Sequence, residues 1–207
     1  MSFKISRSKR QKSTGARAFF IPLSQLSVTL DYRPMREIQL PLEVQISHVP
    51  FCASSSVVGN AVAIFSTEVL SRLLSSNGPD ENLYTDLSSL VLKMDDLPEC
   101  DLASFHLELL ILLVRHFGIL PQTDQYCPGY VLSFSDGIFR PISSLSDRAH
   151  QRGSHTLYRC LTEQNLYSVT QNRKLRKELL ELLLEHLAHY YPIVGDLRSP
   201  SVLSELF

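Results

Sequence analysis

Tryptophan is absent from this chain, and glycine occurs only 8 times in 207 residues. Leucine, in contrast, fills 35 positions. That balance tilts the expectation towards helices. The four cysteines, Cys52, Cys100, Cys127 and Cys160, form no CxxC pair. A disulfide scaffold or zinc ribbon is therefore not expected, and the cysteines read as reduced thiols in a cytosolic protein. Long apolar runs are also missing. The all-apolar segment Leu109–Val114 has six residues between Glu108 and Arg115, which suits a buried bundle helix and not a membrane span. With 44% hydrophobic and 20% charged residues, the chain is neither a disordered tail nor a membrane protein. It is long enough to bury a core in one or two domains.

Catalytic signatures are missing as well. The chain has no G-x-S-x-G elbow, Walker loop, G-x-G-x-x-G or H-E-x-x-H, so no enzyme is expected. His186 and His189 stand at metal-competent spacing, with His150, His155 and Cys160 as further candidates. Nothing fixes a third or fourth ligand, and the simpler reading is a pair of helix-surface histidines. Neither Cys52 nor Cys127 has a neighbouring signature that orients a base. Asp95, Asp96 and Glu99 read as helix-end charges. No metal and no cofactor are expected.

The net charge of −1 conceals a segregation. Residues 1–36 hold eight Lys/Arg and a single acid, Asp31, for a net +7, whereas the other 171 residues carry −8. Such a basic arm on an acidic body creates a local field. Lys4, Arg7, Lys9, Arg10, Lys12 and Arg17 lie among Ser, Thr and Gln. The arm has three readings: a disordered tail, an Arg/Ser-rich organellar leader, or a phosphate-binding loop. Phe3, Phe19, Phe20 and Tyr32 lie close enough in sequence to stack on bases. A second cluster, Arg173, Lys174, Arg176 and Lys177, falls in the first turns of a helix, where cations are disfavoured. It points to a charged partner such as phosphate or a carboxylate. The competing reading is a solvated face compensated by Glu178 and Glu181.

Period-two alternation predicts a strand over Leu26–Tyr32, a turn at Arg33–Arg36 and a second strand over Ile38–Ser47, with a bulge or an edge at Pro41. Helical spacing follows. Asn60–Leu74 places Val62, Phe65, Val69 and Leu73 on one stripe, widened by Ile64 and Leu70. Residues 80–94 carry Leu83, Leu87, Leu90, Val91 and Met94. A third helix is expected to be capped by Asp101 and closed by Gly118. A hairpin is expected over Tyr130–Phe139, a short helix over residues 156–168, and the strongest helix from Asn172 to Pro192. A last turn at Ser199 should dock Leu203.

Four of these segments together resemble one family. FIPLSQLSVTLDYR at Phe20–Arg33, followed by MREIQL at Met35–Leu40, resembles the last strands of the N-terminal OB-fold domain of RecO recombination-mediator and DNA repair proteins, Bacteroidetes-type branch. NAVAIFSTEVLSRLL at Asn60–Leu74 looks like that family's post-barrel helix. FHLELLILLVRHFGILP at Phe105–Pro121 is similar to its central buried helix and exit, and SPSVLSELF at Ser199–Phe207 to this branch's ending.

The resemblance implies an α+β fold, mainly α, with a partial OB-fold segment over residues 1–50 and a RecO-like helical bundle over residues 51–207. It implies a cytoplasmic, non-enzymatic protein that binds single- and double-stranded DNA, anneals complementary strands and helps load RecA. The implied partners are RecR and the C-terminal tail of the single-stranded-DNA-binding protein. Arg7, Lys9, Arg10 and Lys12 then fall in a basic loop between barrel strands. Met1 falls where the family's third strand should already be running, so a late start or a reduced barrel is expected. Some relatives carry a four-cysteine zinc module, but only Cys127 and Cys160 stand in that region here, and no zinc is expected. A rival reading is a helical protein-interaction scaffold whose basic arm is incidental and which binds no DNA. A third is an organellar protein with a cleaved leader.

Overall fold

The computed structural model describes residues 2–3, 21–36, 38–75, 78–163, 165–200 and 203. Four short strands come first. β1 (Ser2–Phe3) pairs in parallel with β3 (Ile38–Gln39), while β2 (Gln25–Leu30) pairs antiparallel with β4 (Pro41–His48). On β2 the expected alternation holds, with Leu26, Val28 and Leu30 half-buried between exposed Ser27 and Thr29. The register shifts between Thr29 and Leu30, where Leu30 meets Pro41, because proline has no N–H to give the ladder.

The second strand departs from expectation. Ile38, Leu40, Leu42 and Ile46 are exposed, and the buried residue is Gln39. Its side-chain amide accepts from Arg33 N at 3.0 Å and donates to the carbonyls of Arg33 and Arg36 at 2.9 and 2.6 Å. Closing the 33–36 turn thus draws Gln39 inwards, while Glu43, Gln45 and Ser47 stay exposed. Among the described residues the strands form three two-stranded sheets.

The ribbon is fastened to a helical body at its base. Gln25 Nε2 donates to Ser88 O at 3.1 Å, and His48 lies 3.6 Å from Asp95. The Asp95 carboxylate also accepts from the backbone N–H groups of Phe51 and Cys52, at 3.0 and 2.9 Å, which caps the short helix α1 (Cys52–Ser55).

α2 (Val57–Leu74) follows with Ser56 as its N-cap. Its Val62, Phe65 and Val69 are fully buried, whereas Ile64 is exposed and does not widen the stripe. By length and composition α2 is apolar enough to cross a membrane, yet its buried stripe packs into the bundle, where Phe65 meets His106 edge-on at 5.6 Å. α3 (Glu81–Met94) is capped by Asp80, which accepts from Leu83 N at 2.9 Å.

The expected third helix is two helices. α4 (Glu99–Leu102) encloses Asp101, and α5 (Phe105–His116) begins after Ser104. The break lets Ser104 sit fully buried beside Thr170, with the two hydroxyls 2.9 Å apart. α5 ends as expected at Gly118, whose φ of 70° closes a double-bonded cap: Gly118 N donates to Arg115 O and Ile119 N to Val114 O, both at 3.1 Å.

The hairpin β5 (Val131–Ser133) and β6 (Ile138–Arg140) is present. The short helix expected at 156–168 is instead α6 (Leu145–Thr162), 18 residues long, followed by α7 (Leu166–Val169). A capping box starts α6 well before the expected position: Asp147 N donates to Ser144 Oγ at 3.1 Å, and Ser144 N donates back to the Asp147 carboxylate at 3.1 Å. α8 (Arg173–Tyr190) runs as expected. Leu179, Leu182, Leu183 and Leu187 meet the α2 and α5 stripes in one core. α6 and α8 pack tightly at Gly153, where an added Cβ would lie 2.7 Å from Glu178 O.

Candidate nucleic-acid interface

Lys4, Arg7, Lys9, Arg10, Lys12 and Arg17 lie outside the described residues. The second expected cluster is fully described, and its four members differ. Asn172 caps α8 by accepting from Lys174 N at 2.8 Å. Arg173 and Lys174 are exposed beside it. Arg176 turns inwards: its Nη1 donates to Thr170 O at 3.0 Å and Gln171 O at 2.7 Å. Burial, and then the charge of Arg173, pull its pKa below the ordinary arginine value. Lys177 lies 3.9 Å from Glu181, one turn on. Arg176 is thus committed to holding the α7–α8 junction, while Lys174 stays exposed with its side chain outside any ion pair among the described residues.

Reasoning from sequence did not single out the cations of α6, because that helix was expected to start later. Arg148, Arg152 and Arg159 lie on its outer side with His155. The missed signal was the Ser144-x-x-Asp147 capping box.

Beside α7 a cleft of about 620 Å³ opens between α3, α5 and the end of α6. Lys93 Nζ reaches both oxygens of Glu108, at 2.8 and 3.0 Å, and lies 4.8 Å from the Tyr167 ring centre. Tyr167 OH donates to Glu108 as well. Burial, followed by that bond to Glu108, pushes the phenol well above its usual range. Arg115 and Asp86 add one charge of each sign to the walls. Cys160 on the same wall is pushed up to about 12, mainly by burial, so its sulfur stays protonated at neutral pH. Cys52 is likewise raised to about 12, by burial and then by Asp95. Neither thiol is an activated nucleophile.

The histidines have other roles than ligation. His186 is buried, a correction to the helix-surface reading, and donates from Nε2 to Ile119 O at 2.8 Å. His150 pairs with Glu185 at 3.0 Å, and His155 Nδ1 lies 2.7 Å from Tyr126 OH. Among the described residues no three His, Cys, Asp or Glu side chains converge as a metal site.

The described residues thus offer a helical body, a cleft of mixed charge and clustered cations on α6 and at the start of α8. The chain is 29% identical over 216 residues to the DNA repair protein RecO of Porphyromonas gingivalis, strain ATCC 33277, covering 100% of this chain and 87% of that protein. It is 26% identical over 212 residues to DNA repair protein RecO of Phocaeicola vulgatus, covering 100% and 86%, and 26% identical over 211 residues to that of Bacteroides fragilis, strain ATCC 25285, with the same shares. No protein-family model matches the chain, and no solved structure matches it. Along its full length the chain is thus similar to Bacteroidetes proteins named DNA repair protein RecO.

Proposed function

We propose that the chain binds single- and double-stranded DNA, promotes annealing of complementary strands and assists RecA loading together with RecR. In this reading residues 1–50 are a partial OB-fold DNA-binding domain and residues 51–207 a helical partner-docking domain, working in the cytoplasm on the nucleoid. The observation that carries it is full-length similarity to proteins named DNA repair protein RecO, supported by the net +7 of residues 1–36. Lys4, Arg7, Lys9, Arg10, Lys12 and Arg17 neutralise phosphates and release counterions. Arg173, Lys174 and Lys177 extend that surface, and Arg176 holds its shape. A basic surface of this kind lowers the repulsion between two phosphate backbones, which is what annealing requires.

The C-terminal tail of the single-stranded-DNA-binding protein is the proposed peptide partner of the helical domain. A scaffold that binds no DNA is the second reading, favoured by the α3/α5/α7 cleft, whose mixed charges suit a protein partner.

Anisotropy of a labelled oligonucleotide, titrated with the full chain at several salt concentrations, separates the two. DNA binding predicts capture that weakens linearly in log affinity against log salt, and that Arg7→Ala, Lys9→Ala and Arg10→Ala together weaken. No capture at low salt overturns the proposal and leaves the scaffold.

A further inference from the structure

We propose that the outer face of α6, continued by the first turn of α8, is a second track for the phosphodiester backbone of single-stranded nucleic acid, held by Arg148, Arg152, Arg159 and Lys174. This inference rests on the reading of the chain as DNA-binding.

Arg148, Arg152, His155 and Arg159 recur at spacings of four, three and four residues, which places them on one side of a helix. From Arg148 to Arg159 the helix rises about 16 Å, the axial reach of roughly five nucleotides at ~3.4 Å each. α8 runs antiparallel to α6. His150 meets Glu185 at 3.0 Å, and Arg152 meets Glu178 at 3.4 Å, so advancing along α6 means retreating along α8. Arg159, two turns beyond Arg152, therefore comes level with the first turn of α8, where Lys174 is exposed. The arginines of one helix and the lysine of the next form a continuous row.

The charges on this face do not cancel. Arg148 makes no ion pair among the described residues. The Arg152 side chain is 61% exposed, and its contact with Glu178 is long, so the pair holds little of that charge. Arg159 is held flat by Glu163, with Nε and Nη2 donating at 2.6 and 2.9 Å. That presents the edge geometry a phosphate prefers, and a phosphate would compete with the carboxylate for it. Lys177 pairs loosely with Glu181. Asp147 is bonded by Ser143 and Ser144 and keeps its charge, and Glu185 is turned to His150. His155 is engaged by Tyr126. Arg148, Arg152, Arg159, Arg173, Lys174 and Lys177 thus face Asp147, Glu163, Glu178, Glu181 and Glu185, a small positive excess in a body that is otherwise acidic.

The test uses the full chain and a labelled oligothymidylate. Arg148→Gln, Arg152→Gln and Lys174→Gln combined should weaken binding about tenfold near 0.1 M salt and reduce the salt slope by about 2, at ~0.7 for each phosphate that is no longer neutralised. Arg148→Lys with Arg152→Lys should keep most of the affinity. A loss equally large in the lysine variant would trace to packing and overturn the proposal. So would a glutamine variant that matches the unaltered chain while the Arg7/Lys9/Arg10 alanine variant loses binding; in that case DNA binding stands and only the second track falls. No capture by the unaltered chain removes both.

Discussion

Glu68 and Ser199 stand 131 residues apart and share one junction. The Glu68 carboxylate accepts from Arg198 N at 3.0 Å, from Ser199 N at 2.9 Å and from the Ser199 hydroxyl. It caps the final turn from the side of α2, and that turn delivers Leu203 into the core, 1% exposed.

Glu68→Ala should therefore loosen the C-terminal turn and lower stability by about 1–3 kcal/mol, the usual cost of leaving charge-assisted partners unmatched. Burial alone would raise the Glu68 pKa, but the bonds from Ser199 and Arg198 hold it below its ordinary 4.5. The contribution is thus complete above about pH 4.5 and fades as pH falls through the lower folded value. Urea unfolding of the variant and the unaltered chain, at neutral pH and in mild acid, checks both the size and the sign.

The four cations at the start of α8 should separate on mutation. Arg176→Ala removes the guanidinium bonds to the Thr170 and Gln171 carbonyls that hold the α7–α8 junction, and should cost about 1–3 kcal/mol. Lys174→Ala should leave the melting temperature nearly unchanged, because surface changes away from such features stay within about 0.5 kcal/mol. Thermal melts followed by circular dichroism give the comparison, and equal losses would contradict it.

His106 is fully buried next to Arg176, and burial, then that charge, lower its pKa to about 3. His186 is lowered too, by burial against the opposing pull of its bond to Ile119. Unfolded imidazoles take up protons near pH 6.5, whereas these folded ones resist. Stability should be full above pH 6.5 and fall as pH drops below it, by up to about 1.4 kcal/mol per pH unit for each histidine. His106→Leu should remove one proton's share of that slope between pH 6.5 and 5, measured as denaturant midpoints at each pH.

Gly153→Ala would put a methyl 2.7 Å from Glu178 O and force α6 from α8. Destabilisation of about 1–3 kcal/mol is expected, together with weaker oligonucleotide capture, since the row of cations spans both helices. Ser144→Ala, which removes an N-cap, should cost about 1 kcal/mol.

Periodicity located α2, α3, α8 and β2, because each buries one clear apolar stripe or alternates cleanly. It failed where a local polar bond outweighed the pattern. Gln39 went inwards to serve three backbone groups of a turn, which pushed Leu40 and Leu42 out. The break at Ser104 owes nothing to hydropathy; it follows a hydroxyl pairing with Thr170 across 66 residues. α6 was hidden by its own composition. Arginines, histidines and serines fill it, and only Gly153, Ser154, Thr156 and Leu157 are buried. Of the candidate interface, the quartet at the start of α8 was legible as a charge cluster. The division of labour within it was not, because whether Arg176 points to solvent or to Thr170 is a matter of tertiary geometry.

The contrast among the four thiols has a practical sequel. Cys52 and Cys160, held protonated with pKa values raised to about 12, should ignore maleimide reagents near neutral pH, whereas Cys100 and Cys127 are exposed. Without any engineering the chain thus offers two attachment points for fluorophores, one in α4 and one in the loop before β5, from which the distance between those regions can be followed as a ligand arrives.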